Sequence, residues 1–380
     1  MRFSLAVSGL AAVGVNAACK SVFPSGTAGA VAPSSTASVP YGVKNATVAN
    51  GSGSSTGGSS SSPSSATSSI ASASTGAVKA SSSSKSAQNS GIKGFNYGAF
   101  FLDQRAVQQA DFEYQFRRAQ SLPGTEGWSS ARLYTMLQWG TTDVISAIPA
   151  AIATKTSLLL GLWISGGDSA ITNEINALEA AINQYGTAFT DLVVGISVGS
   201  EDLYRDSQNE VGASATYLLD CISKVRSTIA GTPLEGAPVG HVDTYDAFLN
   251  STNSAVIEAI DWIGFDGYPY WEKAKPNSIE EATTRFYDGY DKTVALANGK
   301  PVYVTETGWP VTGDTIGAAV ANAENAGSYW KQIACSLVAK GVNLWWYDLQ
   351  ESQYGTATPD FGVYGAGDLM ALQPNYDLSC

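Results

Sequence analysis

The chain has 380 residues, a formal charge of −12 at neutral pH and a pI near 4.5. That balance excludes nucleic acid as the natural partner, because such recognition needs a basic footprint, whereas a neutral ligand fits it. With 44% hydrophobic residues the chain can build a sizeable core, as one large domain or two ordinary ones.

Residues 1–18 carry Arg2, an apolar run and the small residues Val15, Asn16 and Ala17. They read as a secretory signal peptide cut after Ala17 or Ala18. The run is too short to span a bilayer, and no other segment is long and apolar enough to do so. Residues 19–90 are dominated by serine, threonine and glycine and cannot bury enough apolar surface to fold. They are expected to be a disordered, glycosylated linker. Sequons at Asn45, Asn50 and Asn250 agree with a secreted route. The C-terminus, LQPNYDLSC, lacks the hydrophobic tail of a glycolipid-anchor signal. The expected location is extracellular or cell-wall associated, as a monomer.

From residue 91 the pattern becomes regular. Short β-rich runs occur at IKGFNYGAF, SARLYTML, SLLLGLWIS, DLVVGISVGSE, APVGHVDTY, DWIGFDGYPY, PVYVTETGWP and VNLWWYDLQ. Helical patterning lies between them. Phe112, Phe116 and Ala119 share one face of the first helix, and Leu218, Ile222, Val225 and Ile229 share a face of another. Asp103 is placed as the N-cap ahead of the first helix. Most strands are continuous apolar runs, as expected when both faces are covered, and parallel strands need such helical crossovers. These strand–helix units over residues 91–380 predict an α/β (β/α)8 TIM barrel. A doubly wound sheet fits less well, since no Gly-rich phosphate fingerprint follows the first strand.

A barrel of this kind puts its chemistry at the C-terminal ends of the strands. Those ends fall near Tyr97, at Arg132 and Tyr134, near Trp163, at Ser200 and Glu201, near His241 and Asp243, at Asp266 and Tyr268, at Glu306, and at Trp346 and Asp348. Glu201 and Glu306 occupy matching places, each after an apolar run and before a turn. Two carboxylates flanking one bond are what glycoside hydrolysis needs. Tyr268, Tyr270, Trp271, Trp309 and Trp346 crowd the same rim, and aromatic faces suit the apolar faces of sugar rings. The single histidine, His241, and the absence of a G-x-S-x-G elbow disfavour a Ser-His-Asp triad. No metal is expected, since several His or Cys ligands are wanting, and no cofactor is implied. His241 is expected to be a structural strand residue.

The motifs GFNYG, SARLYTM, SLLLGLW, VVGISVGSEDLYR, PVGHVDT, DGYPY and VTETGWP, in this order, resemble glycoside hydrolase family 17, specifically its fungal secreted β-1,3-glucanases of the cell wall. The resemblance implies a retaining mechanism on β-1,3-glucan, with Glu201 as acid/base and Glu306 as nucleophile. It also implies that Arg132 and Tyr268 line the sugar subsite near the nucleophile, and the strand-end and rim residues Tyr97, Tyr134, Ser200, Asp266, Trp309 and Trp346 are expected as further substrate contacts. Ser200 departs from the asparagine that many relatives carry before the acid, and a serine reaches less far toward a sugar 2-hydroxyl. A glucan transglycosylase using the same pair and a noncatalytic glucan-binding wall glycoprotein are the alternatives. In a secreted chain the cysteines at 19, 221, 335 and 380 are disulfide candidates with three possible pairings. Cys335, on the last helical pattern, is expected to pair with the C-terminal Cys380.

Overall fold

The computed structural model describes residues 91–380. The signal peptide, the Ser-rich segment, Cys19 and the sequons at Asn45 and Asn50 lie outside the described residues. Eight parallel strands close into a barrel in sequence order: β1 Lys93–Tyr97, β2 Trp128–Leu133, β3 Ser157–Leu162, β4 Val193–Ser200, β5 Val239–Asp243, β6 Trp262–Asp266, β7 Val302–Glu306 and β8 Leu344–Trp346. The barrel closes where β1 pairs with β8, Phe95 lying opposite Trp346. Every expected strand is present, because each apolar run is buried on both sides by the barrel interior and the helix layer.

The crossovers carry α1 Gln109–Gln120, α2 Ala147–Thr154, α3 Asp168–Tyr185, α4 Thr187–Thr190, α5 Asp202–Ser207, α6 Ala215–Ile229, α7 Tyr245–Leu249, α8 Ser254–Ala259, α9 Ala282–Leu296, α10 Ala323–Tyr329 and α11 Cys335–Ala339. Phe112, Phe116 and Ala119 of α1 are buried, as are Leu218, Ile222, Val225 and Ile229 of α6. Ser214 caps α6 by accepting from the Tyr217 amide, and Thr244 caps α7 by accepting from the Ala247 amide. The start of α1 differs from expectation. Asp103 accepts from the backbone and side chain of Arg105 in a turn, while the helix begins at Gln109, where Asp111 accepts from the Gln108 amide. An Asx turn outcompeted the helix for the Asp103 side chain. No helix among the described residues is long and apolar enough to cross a membrane.

Leu159, Val242, Trp262 and Trp345 form one packed cluster of the core. Gly240 makes room for one of them: a Cβ there would lie 2.3 Å from the Trp262 ring. Outside the sheet, the Trp330 indole stacks on Trp128 and meets Trp346 edge-on, with ring centres 4.9 and 5.0 Å apart. Cys335 and Cys380 form a disulfide as expected, tying α11 to the C-terminus, and Cys221 is a buried free thiol.

Candidate active site

Glu306 ends β7 with 5% of its surface exposed. Its carboxylate is gripped from three sides. Oε1 accepts from Arg132 Nη1 at 2.6 Å and from the Tyr134 hydroxyl at 2.6 Å, and Oε2 accepts from the Tyr268 hydroxyl at 2.9 Å. Burial, then the charge on Glu306, pushes the Tyr268 phenol well above its ordinary range. The same two causes act on Tyr134. Both hydroxyls therefore stay protonated and donate. Arg132, 1% exposed, also donates to Asn96 Oδ1 at 2.8 Å and, through Nη2, to Ser200 Oγ at 2.9 Å. Its guanidinium lies over the Tyr134 ring at 4.6 Å. A fork of donors in fixed geometry suits this task, because Nη1 serves Glu306 and Asn96 while Nη2 reaches Ser200.

Glu201 sits between β4 and α5 with a left-handed backbone, φ 56° and ψ 22°. That conformation costs a non-glycine residue on the order of 1 kcal/mol and persists only where the surroundings impose it. Here the Glu201 amide donates to the Val242 carbonyl at 2.8 Å. The Ser200 amide donates to Asp202 Oδ2 at 2.7 Å. Gly199 lets the chain make this corner: its φ is +77°, and a Cβ there would fall 2.1 Å from Asp202 Oδ2. The Glu201 carboxyl meets Arg205 Nη2 at 3.0 Å, one helical turn on. Burial, then the negative charge of Glu306, pushes its pKa up to about 7, against the opposing pull of Arg205. The two carboxyl groups thus differ in kind. One is saturated with donors, and the other is held near the point where it gains and loses a proton.

Asp266 lies in register with Glu306 across the β6–β7 pair. Its Oδ1 accepts from Thr305 Oγ1 at 2.7 Å, and Oδ2 is buried without a partner. Burial, then the charge on Glu306, pushes its pKa well above its ordinary value.

The structure therefore brings together Arg132, Tyr134, Ser200, Asp266 and Tyr268 around the pair Glu201 and Glu306. It does not bring Tyr97, Trp309 or Trp346 there. Tyr97 packs edge-on against Phe116 of α1, with ring centres 4.9 Å apart, on the helix side of β1. Trp346 is fully buried between Trp330 and Tyr329. Trp309 is fully buried between Tyr270 and Tyr329, its indole donating to the Val320 carbonyl at 3.0 Å. All three aromatics build the wall, because apolar rings gain more by packing under the helix layer than by lining a wet cleft.

Two contributors were missed from the sequence. Asn96 donates through Nδ2 to the carbonyls of Thr305, Trp345 and Trp346 while accepting from Arg132. It is the polar residue between Phe95 and Tyr97 on β1, beside the more conspicuous tyrosine. Arg205 is the other, four residues after Glu201, a spacing that puts two side chains on one helix face.

Comparison with known proteins gives the family of the chain. The family model described as the BtgE/BtgC glycoside hydrolase domain matches residues 94–363. The Aspergillus fumigatus protein named "Probable glucan endo-1,3-beta-glucosidase eglC" is 54% identical over 295 residues, covering 76% of this chain and 65% of that protein. Its Aspergillus niger namesake is 52% identical over 295 residues, covering 76% of this chain and 63% of that one. The chain thus spans just under two thirds of the length of these relatives. In fold it is similar to the crystal structure of a glycoside hydrolase family 17 beta-1,3-glucanosyltransferase from Rhizomucor miehei. The TM-score is 0.63 at 24% identity, over 76% of this chain and 98% of that one. The barrel, the two unlike carboxylates and these matches together place the chain in the BtgE/BtgC glycoside hydrolase domain family, in line with the family 17 resemblance of its motifs.

Proposed function

We propose that the protein is a secreted, retaining glycoside hydrolase that cleaves β-1,3-glucan by double displacement. The observation that carries this reading is the contrast between the two carboxyl groups. Glu306, fixed by Arg132, Tyr134 and Tyr268, is the nucleophile. Glu201, with its pKa pushed up to about 7, is the acid/base. The names of the Aspergillus relatives supply the substrate class.

In the first half-reaction Glu201 gives its proton to the glycosidic oxygen as a Glu306 oxygen attacks the anomeric carbon. The bond to the leaving sugar breaks with its electron pair on that oxygen, and a glycosyl ester forms on Glu306. In the second half, the Glu201 carboxylate takes a proton from water as that water attacks the anomeric carbon. The ester breaks, Glu306 regains its carboxylate, and Glu201 is reset as the acid. The Arg132, Tyr134 and Tyr268 donors orient Glu306 and ease departure of its carboxylate in the second step. Ser200 Oγ accepts from Arg132, which leaves its own hydrogen free to donate to a sugar hydroxyl.

The test is product analysis on defined β-1,3-gluco-oligosaccharides, with Glu306→Gln beside the wild type. Glu306→Gln should abolish turnover while leaving fold and glucan binding intact, and near wild-type hydrolysis by that variant would remove Glu306 from the role. Glu201→Ala should lose most activity on laminarin and recover part of it on substrates with good leaving groups. Products only shorter than the substrate mean hydrolysis; longer products mean that a second sugar, not water, takes the glycosyl group.

A further inference from the structure

The chain has one histidine. His241 lies on β5 with no exposed surface. Its Nδ1 is 2.8 Å from the Val198 carbonyl of β4, and its Nε2 is 3.0 Å from Asp243 Oδ2. A carbonyl and a carboxylate both accept, so each ring nitrogen must carry a hydrogen, and the ring is the imidazolium. A neutral ring would leave a bare nitrogen facing an acceptor, with both buried. Asp243 Oδ2 also accepts from the amides of Leu203 at 3.0 Å and Tyr204 at 3.4 Å, and its Oδ1 accepts from the Thr244 amide at 2.8 Å. Leu203 and Tyr204 are the second and third residues of α5, in the turn that follows Glu201 and Asp202. The Glu201 amide is itself bonded to Val242, the residue between His241 and Asp243.

We propose that His241 and Asp243 are positioning residues for Glu201: the imidazolium holds the Asp243 carboxylate on the first amides of α5, and this brace fixes the left-handed corner that presents Glu201 to the cleft. The proposal rests on the acid/base assignment above and adds the machinery behind it. The groups facing His241 are Asp243 on its own strand, the Val198 carbonyl on β4, Asp202 on α5 and the edge of Phe248 on α7. Burial works against the charge. The Asp243 bond and charge, then Asp202 and the Val198 carbonyl, outweigh it, and the His241 pKa stands above its ordinary value. The groups facing Glu201 are Glu306, Arg205 and Asp243, and the Asp243 charge is among those that hold its proton on. The brace therefore sets both the place of Glu201 and part of its proton affinity.

A single histidine makes the test direct. Labelling the full protein with 15N-histidine gives one ring to read by NMR. Both ring nitrogens should be protonated at neutral pH, since each faces an acceptor; a neutral tautomer there overturns the proposal. The second arm is Asp243→Asn assayed on a β-1,3-gluco-oligosaccharide. Misplacement of Glu201 should lower kcat about tenfold or more with KM little changed. Loss of a negative charge beside Glu201 should also carry the alkaline limb of kcat/KM to lower pH. Activity lost only in proportion to unfolded protein, with the limb unmoved, overturns the positioning role. If the wild type cleaves no β-glucan, the proposed function fails while the ring nitrogens still decide whether the charged brace exists.

Discussion

Replacing Arg205 with methionine tests whether Glu201 must carry a proton for the reaction to begin. Arg205 Nη2 stands 3.0 Å from Glu201 Oε2, with the two side chains 21% and 14% exposed, so the pair is shielded but not dry. Two unit charges about 4 Å apart at an effective dielectric of about 20 attract by about 4 kcal/mol. Competing solvent brings the net toward the lower end of the roughly 1.5–3 kcal/mol of a charge-assisted hydrogen bond. One pKa unit is about 1.4 kcal/mol, so losing Arg205 should raise Glu201 by about one unit. The arginine favours the carboxylate, and its removal favours the acid. Because kcat/KM reports the free enzyme, the alkaline limb follows Glu201, whose pKa is pushed up to about 7 in the intact site. In Arg205→Met that limb should move to about pH 8, with activity retained further into the alkaline range. The assay is kcat/KM on a β-1,3-gluco-oligosaccharide at pH steps from about 4 to 9. A limb that stays in place or moves down refutes Glu201 as the acid.

Three further expectations concern the nucleophile, the pH dependence of stability and the disulfide. Tyr134→Phe keeps the ring but removes the hydroxyl 2.6 Å from Glu306 Oε1, and kcat/KM should fall roughly tenfold to a hundredfold with Tm little changed; unaltered kinetics would contradict the grip on Glu306. Burial foremost pushes Glu174 up to about 8, Glu201 and Glu351 up to about 7 and Asp202 up to about 6. The folded chain thus holds protons that the unfolded chain releases above about pH 4, and His241, also raised, acts in the same direction. Stability should therefore fall as pH rises from about 5 to 8, by several degrees in Tm in a buffer series; a higher Tm at pH 8 would contradict it. Cys335 and Cys380 are 45 residues apart, and the chain-entropy estimate for such a loop is about 4 kcal/mol. Cys380→Ser should show much of that loss in urea unfolding, with no change in kcat.

The barrel was legible in the sequence because parallel strands buried on both faces leave dense apolar runs that turns and helices must separate. Glu201 and Glu306 were legible because a charge at the tip of such a run is costly unless something answers it. The wall aromatics were not. Whether a tryptophan faces a cleft or a helix depends on strand alternation and on side chains contributed from far along the chain. Trp346 turns toward Trp330, while its neighbour Trp345 turns into the barrel, where its indole donates to Ser130. One residue of phase separates the two fates, and an apolar run without alternation hides that phase. Asn96 was overlooked for the same reason, its phase revealed only by its contacts with β2, β7 and β8. Asp103 erred differently: a good capping residue was read without weighing the local turn that claimed it.

Asn96 also stands at the seam where the cylinder shuts. Its amide bridges 249 residues of chain to reach the Trp345 carbonyl, and its oxygen steadies the arginine that holds Glu306. The first and last strands must meet before that amide finds its acceptors, so the long-range contact that completes the fold also completes the grip on the carboxylate. An open barrel with seven strands in place would carry every acidic residue of the site and still lack the tension that aims them. On the proposed function, turnover would report whether β1 and β8 have met.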